Sequence, residues 1–487
     1  MKVVQTANNI NNQTPPRKHA VVMGGSMAGL LTARVLADHF EKVTLLERDI
    51  YPAGTDHRRG QPQSHHLHAL LARGLKIIEE LFPGIRNELI QDGAIMLESG
   101  SDLYWYTPAG VGKTFISGVM FIAFSRPFLD WHVRRRLSEV KNVEILDNRE
   151  VTALVTNGDR NAISGVSVKR YQTSEAEVTL PNEFIKADLI VDATGRHSRA
   201  PQWLTTLGYE APRETVVNAF LGYATRIYEH TDSQWKAIFL QAAPPKRTRG
   251  GIIFPIEDDR WMLTLVGGGG DYPPANEDNF LKFTESLPSP IIADTIRNAK
   301  PLSAIRTFRT TENRLRHYDE LAQLPGKFVL LGDSVCAFNP VYGQGMTIAA
   351  MGALELGNFL SESRKSDLGS EFVRKFQKRL AKLNVLPWTL ATGEDCRYPS
   401  CQGASRTLKV RFMHAYLDRV IALTTWDTSV RSIWLNVFQM LLPPGKLFSP
   451  PVLFKVIREF IAPRKSAKPR ARVVARRSPM TSPSGEY

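Results

Sequence analysis

The chain has 487 residues, of which 43% are hydrophobic and 23% are charged. That composition is typical of a globular protein of two or three domains, and it excludes a chain that is disordered throughout. Its three cysteines, Cys336, Cys396 and Cys401, are too few for a disulfide framework. The spacing of Cys396 and Cys401 is not that of a zinc site, so we interpret both as ordinary thiols and expect no metal.

The formal net charge is +14, and much of it lies near the end of the sequence. Residues 464–487 hold seven Lys or Arg residues and one Glu, which predicts a basic disordered tail. We interpret the tail as solubilising, with attraction to anionic lipid or nucleic acid as the open alternative. Residues 1–18 read as a disordered polar leader without the apolar core of a signal peptide. We therefore expect a cytoplasmic protein, with peripheral contact with a membrane surface left open.

A strand, a glycine-rich loop, a helix and a second strand follow the leader. The first strand covers residues 20–23, helical spacing of apolar residues runs to Phe40, and the second strand ends at Glu47 and Arg48. The loop between them consists of Gly24, Gly25, Ser26, Met27, Ala28 and Gly29. Such a loop lets the backbone and the helix N-terminus approach a pyrophosphate, while the acid accepts ribose hydroxyls. Ser26 replaces a glycine of the pattern, and its hydroxyl can bond a phosphate oxygen, so the unit predicts a dinucleotide site.

Two further strand-and-loop blocks lie downstream. Residues 187–191 read as a buried strand that runs into Asp192-Ala193-Thr194-Gly195. Residues 327–331 read as another, and a predicted helix begins near Thr347. Between that strand and the helix lie Gly332, Asp333, Pro340, Gly343, Gln344, Gly345 and Met346. A shorter block, Ser125-Arg126-Pro127, precedes a predicted helix over residues 131–137.

Together these blocks resemble the class A FAD-dependent monooxygenases, the aromatic hydroxylase and squalene-epoxidase-like group, across most of residues 19–385. The resemblance implies FAD as cofactor and NAD(P)H as a transient reductant. It assigns Asp333 to the ribityl hydroxyls and Gly343, Gln344 and Gly345 to the isoalloxazine edge. It also implies that Asp192 and Gly195 lie near the pyrophosphate and that Arg126 contacts the flavin, with an ion pair to a surface acid as the alternative for Arg126.

Two departures favour one branch of that family. Cys336 stands where aromatic hydroxylases often have histidine, which weakens an assignment to the phenol hydroxylases. The Asp192-Ala193-Thr194-Gly195 variant, together with the segment 267–274, looks most like epoxidase-type members that act on polyketide or terpenoid chains.

Two local patterns receive a conservative interpretation. The segment Gln63-Ser64-His65-His66-Leu67-His68 has no carboxylate to complete a metal site. A similar stretch in the resembling branch favours His65 and His68 as residues that line the flavin, with core histidines as an equal alternative. The run Gly267–Gly270 is followed by Pro273 and Pro274, which cannot open a phosphate-binding helix at once, so we predict a loop and no second dinucleotide unit.

We expect an α/β fold in which a discontinuous Rossmann-type FAD domain carries an inserted, mostly antiparallel β-sheet substrate domain. Alternating residues in 251–266 predict two strands joined at Asp258-Asp259. A helical C-terminal region reads as a cap on the active site, with shallow membrane contact as the alternative. The predicted boundaries are 19–92, 126–213 and 306–385 for the FAD domain, 93–125 and 214–305 for the substrate domain, and 386–463 for the helical region.

The resemblance implies that NAD(P)H reduces FAD and that one oxygen atom of O2 is transferred to a substrate as hydroxyl or epoxide. No amino-acid nucleophile is needed, so no catalytic residue is predicted. The aromatic residues Tyr104, Trp105, Phe254 and Trp261 suggest an apolar small-molecule substrate, although core aromatics would look the same. The alternatives are a flavin reductase of isoprenoid double bonds, a flavin halogenase, whose W-x-W-x-I-P motif is absent, and a flavin-bearing protein without turnover. No nucleic-acid partner is expected.

Overall fold

The computed structural model describes residues 17–170, 182–231, 233, 235–363 and 367–461. The predicted basic tail lies outside the described residues, as does the leader up to residue 16. Within the described part the first strand begins at Arg17, two residues before the predicted start of the FAD domain.

The structure has 21 strands within the described residues, all of them between Arg17 and Ala337. In chain order they are β1 (Arg17–Met23), β2 (Phe40–Leu46), β3 (His68–Leu70), β4 (Ile95–Glu98), β5 (Leu103–Thr107), β6 (Gly110–Val111), β7 (Met120–Phe124), β8 (Val143–Leu146), β9 (Arg149–Thr156), β10 (Ile163–Arg170), β11 (Glu183–Lys186), β12 (Leu189–Asp192), β13 (Glu214–Val217), β14 (Gly222–Glu229), β15 (Ala237–Leu240), β16 (Arg249–Ile256), β17 (Arg260–Gly267), β18 (Arg306–Phe308), β19 (Asn313–Arg316), β20 (Phe328–Leu330) and β21 (Cys336–Ala337).

The helices alternate with the strands and then take over at the C-terminal end. They are α1 (Met27–Leu36), α2 (Ala72–Leu81), α3 (Ile85–Gln91), α4 (Arg126–Ser138), α5 (Ala200–Thr206), α6 (Glu277–Glu285), α7 (Ile291–Ile296), α8 (Gly345–Glu362), α9 (Ser370–Asp395), α10 (Leu408–Leu423), α11 (Thr428–Phe438) and α12 (Pro450–Ile461).

A five-stranded parallel sheet carries the three predicted motifs. Its order is β20-β12-β1-β2-β8. The apolar residues of β1 and β12 are almost wholly buried, as expected of a parallel sheet that is covered on both faces. Met23 at the end of β1 lies beside Asp192, and Asp192 lies beside Leu330. Because the carboxyl ends of parallel strands meet at one edge, all three loops begin at the same place. The predicted α/β class is confirmed.

A seven-stranded sheet forms the inserted part of the fold, in the order β18-β14-β17-β16-β15-β5-β6. Its strands pair antiparallel except for β15 and β5, which are parallel. β16 and β17 form the predicted hairpin, and φ is +61° at Asp258 and +51° at Asp259. Aspartate tolerates this left-handed conformation, which a tight hairpin turn of matching twist requires. β17 ends at Gly267, and no helix begins before Glu277, so the glycine run is a loop as predicted.

Three smaller sheets had no counterpart among the predictions. Their orders are β11-β10-β9, β13-β19-β21 and β3-β7-β4. α9 runs without a break across the predicted boundary at residues 385 and 386, with Pro387 inside the helix. α10, α11 and α12 enclose a small apolar core of their own. Within the described residues, no helix is both long enough and apolar enough to cross a membrane.

Candidate functional site

A cavity of about 520 Å³ lies where the three loops of the parallel sheet meet. Its size is within the range of about 300–1,000 Å³ that is usual for small-molecule and cofactor sites. We call it the loop cavity. The predicted residues that line it are Gly24, Gly25, Ser26, Met27, Ala28, Glu47, Arg48, Arg126, Gly195, Asp333, Pro340, Gly343, Gly345 and Met346. Fourteen residues from distant parts of the sequence are therefore brought to one surface.

The first loop is built from glycines that tolerate no side chain. Gly24 has φ +96°, and a Cβ placed on it would lie 2.6 Å from the backbone oxygen of Ala193. A Cβ on Gly29 would lie 1.7 Å from the oxygen of Gly24. Because it has no side chain, Gly29 lets α1 pack close to the end of β1. Gly29 was also predicted to bind the cofactor, but it is not among the residues that line the loop cavity. The Ser26 side chain does not cap α1, so the N–H groups of the first helical turn are left for a ligand.

Ser26 is the centre of a hydrogen-bond cluster at the start of α1. Its Oγ accepts hydrogen bonds from Arg126 Nη2 and Gln61 Nε2, both at 2.9 Å. Asp130 accepts from the same two side chains, at 2.7 Å each. Arg126 is only 5% exposed, so it lines the cavity while it is paired to an acid that is itself partly buried. Since Ser26 Oγ already accepts two bonds, its own O–H remains to donate, and a phosphate oxygen is a fitting acceptor.

Glu47 has a partner that the sequence did not suggest. Its Oε2 accepts from Gly25 N at 2.8 Å and lies 2.7 Å from Arg58 Nη1. Its Oε1 accepts from Asp49 N at 3.0 Å. Oε2 therefore has two partners and Oε1 has one, so Oε1 can still accept a hydrogen bond from a ribose hydroxyl. Arg58 also lines the loop cavity and balances the buried carboxylate.

Asp192 lies behind the second loop and does not line the loop cavity. It is fully buried, and its Oδ1 accepts from Thr194 N at 2.9 Å and from Ser334 Oγ at 3.1 Å. Its Oδ2 accepts from Ser198 Oγ at 2.5 Å. Asp192 is predicted to lie near the pyrophosphate, and in the structure it is the following residues Ala193, Thr194 and Gly195 that line the cavity in front of it. The Asp192 carboxylate lies beneath the second loop, where its hydrogen bonds to Thr194 and Ser334 connect the second and third motifs.

The third motif supplies one acid and one helix end. Asp333 lines the loop cavity, and burial raises the pKa of its carboxyl. Gly332 and Gln344, also predicted, do not line the cavity. Gly332 has φ +63° and packs against Ala28, whereas Gln344 Oε1 is buried without a hydrogen-bond partner among the described residues. No side chain caps α8, and Gly345 and Met346 line the cavity, so the N–H groups of this first turn can bind a ligand there.

A second, apolar cavity of about 80 Å³ adjoins the first. Six residues line both: Gln63, Leu67, His68, Phe308, Pro340 and Gly343. Its other walls include Leu103, Phe121, Phe254, Phe438 and Gln439. Of the four aromatic residues that suggested an apolar substrate, Phe254 alone is at this surface. Trp105 and Trp261 are core residues, and Tyr104 packs at the edge of a core.

The end of α11 closes the apolar cavity through Phe438 and Gln439. This position supports the interpretation of the C-terminal region as a cap. Gln439 also binds the body of the protein, because its Oε1 accepts a hydrogen bond from Ala72 N at 2.7 Å.

The histidine segment contributes His66 and His68, not the predicted pair of His65 and His68. His68 lines both cavities and His66 lines the apolar one. His65 lines neither and stacks on His57, with 3.7 Å between ring centroids. Burial lowers the pKa of His66 to about 4 and that of His68 to about 3, so both rings are neutral at pH 7. The signal that could have found them is their alternate spacing beside a strand, which places both side chains on one face.

A buried polar network lies behind the loop of residues 339–343. Asp395 is fully buried and accepts from the Tyr342 hydroxyl at 2.5 Å and from Asn313 Nδ2 at 2.6 Å. Asn339 Oδ1 accepts from the Tyr223 hydroxyl at 2.5 Å. Burial raises the pKa of Asp395 to about 7, although its hydrogen bonds act in the opposite direction. No motif marks these residues, because they come from four separate segments.

The chain is similar to known proteins along most of its length. Residues 17–378 match the family described as FAD binding domain. Protein Rv3254 of Mycobacterium tuberculosis is 30% identical over 474 residues, which cover 95% of this chain and 98% of that protein.

Two solved structures share the fold at low sequence identity. The flavin-dependent brominase Bmp2 is 14% identical, with 91% of this chain and 99% of that chain covered and a TM-score of 0.63. PqsL of Pseudomonas aeruginosa, in complex with 2-aminobenzoylacetate, is 14% identical, with 78% and 98% covered and a TM-score of 0.56. The glycine loop of residues 24–29, the uncapped N-termini of α1 and α8, and the size of the loop cavity fit a flavin dinucleotide. The chain belongs to the FAD binding domain family, which makes FAD its cofactor.

Proposed function

We propose that the protein is a monooxygenase that uses NAD(P)H and O2 to hydroxylate or epoxidise an apolar small molecule. The observation that carries this proposal is the apolar cavity that shares six lining residues with the loop cavity. Bound FAD supplies the redox chemistry and the transfer of oxygen, while the protein supplies position, electrostatics and a dry pocket.

The residues of the loop cavity would hold the cofactor in a definite direction. Ser26, Arg126 and the N-terminus of α1 would bind the pyrophosphate, and Glu47 and Arg48 the adenosine end. Asp333 would bind the ribityl hydroxyls. The N-terminus of α8, at Gly343 to Met346, would stabilise negative charge on the reduced ring. This direction places the ring beside the residues that the two cavities share.

The walls and the size of the apolar cavity restrict the substrate. Leu103, Phe121 and Phe254 favour an apolar molecule, in accord with a polyketide or terpenoid. About 80 Å³ holds only the reacting end of such a molecule. Phe438 and Gln439 form one wall of this cavity, so they limit how far the remainder can extend on the side of α11.

The test begins with purified protein, which should take up FAD and become yellow. NADH or NADPH oxidation and O2 consumption are then followed across a panel of apolar compounds, with oxygen-18 gas as label. We expect a product that carries one labelled oxygen atom. A saturated product without labelled oxygen would indicate a reductase, and a halide-dependent product a halogenase. A flavin that no reductant and no compound affects would indicate a binding protein.

We also propose that the C-terminal helices contact an anionic membrane surface. Phe412 of α10 is 73% exposed, and Phe454 and Ile461 of α12 are 69% and 79% exposed. Arg458 is exposed on the same helix as Phe454, whereas Lys455 is paired with Asp427 at 2.7 Å. Exposed aromatic residues with neighbouring cations are typical of helices that lie in a lipid interface. Flotation with vesicles of phosphatidylcholine and phosphatidylserine should retain the protein, and Phe454→Ser should reduce retention. No binding by the full chain would contradict the proposal.

A further inference from the structure

A chain of hydrogen bonds fixes the proton of His66. Leu67 N donates to Thr264 Oγ1 at 3.1 Å, Thr264 Oγ1 and Thr225 Oγ1 lie 2.7 Å apart, and Thr225 Oγ1 lies 2.8 Å from His66 Nδ1. If Thr264 donates to Thr225 and Thr225 donates to Nδ1, every proton in the chain has an acceptor. The reverse order would leave the Thr264 proton without an acceptor among these groups, at a cost of about 1–3 kcal/mol for a buried group. His66 therefore carries its proton on Nε2.

His68 has the opposite arrangement. Its Nδ1 lies 2.8 Å from the backbone oxygen of His66. A carbonyl oxygen can only accept, so Nδ1 carries the proton. Because the ring is neutral at pH 7, Nε2 of His68 is an unprotonated acceptor. Two histidines two residues apart thus differ in tautomer: His66 Nε2 donates and His68 Nε2 accepts.

The two Nε2 atoms belong to the polar groups of the apolar cavity, together with the side chains of Gln63, Thr264 and Gln439. Both histidines line it, and no side chain or backbone group in the described part of the chain binds either Nε2 atom. The tyrosines that line the same cavity have their hydroxyls turned away, Tyr223 to Asn339 and Tyr342 to Asp395. His68 also lines the loop cavity, so this polar end lies at the junction of the two.

We propose that the substrate carries a hydroxyl group that His66 and His68 recognise at this junction. A hydroxyl is the small group that both donates and accepts, so it satisfies the two nitrogens together. A hydrocarbon would leave both unpaired, and a site built to bond a hydroxyl rejects an analogue without one much more strongly than it rejects a change of size. This inference rests on the proposed function, because it places the substrate beside the flavin ring.

Phenol and toluene test the proposal, since they have nearly the same shape and differ in the hydroxyl. Their dissociation constants are measured on the FAD-loaded protein by calorimetry. We expect phenol to bind at least about ten-fold more tightly than toluene, which corresponds to about 1.4 kcal/mol. His66→Leu and His68→Leu should each bring the two constants within about two-fold of each other. His65→Leu is the matched control and should leave the ratio unchanged, because His65 lines neither cavity.

Nitrogen-15 NMR of the histidine side chains gives a readout that is independent of ligands and turnover. We expect the proton on Nε2 of His66 and on Nδ1 of His68. Thr225→Val should release the His66 ring from its fixed tautomer and leave that of His68 unchanged. The same tautomer on both rings would overturn the proposal.

Two further outcomes would also overturn it. One is equal binding of phenol and toluene by the unaltered protein. The other is a His68→Leu variant that loses FAD affinity while it keeps the preference for phenol, since His68 would then serve the cofactor. Failure of the proposed function looks different: the preference for phenol would persist, but no compound would acquire labelled oxygen.

Discussion

The two adjoining cavities are built in different ways. The core of the loop cavity is formed by three loops at the ends of parallel strands, and within each loop the lining residues are close together in the sequence. The apolar cavity is assembled from side chains of β5, β7, β16, β17 and the end of α11, which are far apart in the sequence. A phosphate-binding loop depends on local backbone geometry, whereas an apolar pocket depends on which distant side chains the fold brings together.

The largest expected effect comes from a substitution in the first glycine loop, which forms part of the loop cavity and none of the apolar cavity. In Gly29→Ala, the new Cβ would lie 1.7 Å from the Gly24 oxygen, a backbone atom that cannot move without displacing β1 from α1. We expect a loss of several kcal/mol in the free energy of unfolding, among the largest effects of single substitutions, and loss of FAD binding. Chemical denaturation and flavin fluorescence measure the two effects.

Gly393→Ala is the matched control for that variant. Gly393 lies within α9, and no atom beyond its own helix lies within 4 Å of the added Cβ. Alanine there should stabilise the protein by up to about 1 kcal/mol, because glycine is a poor helix former. Normal FAD affinity in Gly29→Ala would contradict the role assigned to the first loop.

Removal of the Ser26 hydroxyl tests the same cavity and should have a smaller effect on FAD affinity than Gly29→Ala. Ser26→Ala leaves Arg126 Nη2 and Gln61 Nε2 without their shared acceptor and removes the donor proposed for the phosphate. We expect a ten-fold to hundred-fold loss of FAD affinity, that is about 1.4–2.8 kcal/mol. Equilibrium dialysis of FAD provides the measurement. Ser138→Ala, which removes an exposed hydroxyl on α4, should leave the affinity unchanged; an equal loss in both variants would refute the assignment.

The Asp395 network, which backs the wall between the cavities, should give the stability a characteristic pH dependence. Burial raises the pKa of Asp395 from 3.8 to about 7, so the folded protein holds this proton more tightly than the unfolded chain. The stability from this carboxyl is therefore full below about pH 4 and is lost as the pH rises through about 7, by at most about 1.4 kcal/mol per pH unit.

Asp395→Asn cannot ionise, so its stability should change less between pH 4 and pH 7 than that of the unaltered protein. Denaturant unfolding across this interval measures both slopes. Asp38→Asn changes an exposed carboxylate and serves as the control. Parallel slopes for Asp395→Asn and the unaltered protein would show that Asp395 is ionised throughout.

The smallest expected effect concerns the cap of the apolar cavity. Phe438→Ala opens one wall and should admit larger apolar compounds, with affinity changes of about ten-fold or less and unaltered FAD affinity. Calorimetry with a series of alkylphenols provides the measurement. Phe454→Ala removes a phenylalanine that is 69% exposed and should change neither property. A simultaneous loss of FAD affinity in Phe438→Ala would mean that the two cavities are not independent.

Much of the fold and of the loop cavity could be predicted from the sequence. The strands at residues 20–23, 187–191 and 327–331, the helix that follows each glycine loop, and the hairpin at Asp258-Asp259 are all found close to their predicted positions. Each is specified by neighbouring residues through apolar periodicity, glycine spacing or turn chemistry. The parallel arrangement then brings the three loops to one edge without further information.

The tertiary structure decided which side chains face the ligands. Asp192 turned out to fasten two loops from behind, Arg58 was found beside Glu47, and His66 replaced His65 at the apolar cavity. Asp395 reaches its network from the end of a helix that carries no motif. Local residues determine a backbone loop because φ and ψ are local, whereas the partner of a buried polar group is set by whatever distant segment packs against it, and a single sequence does not state that contact.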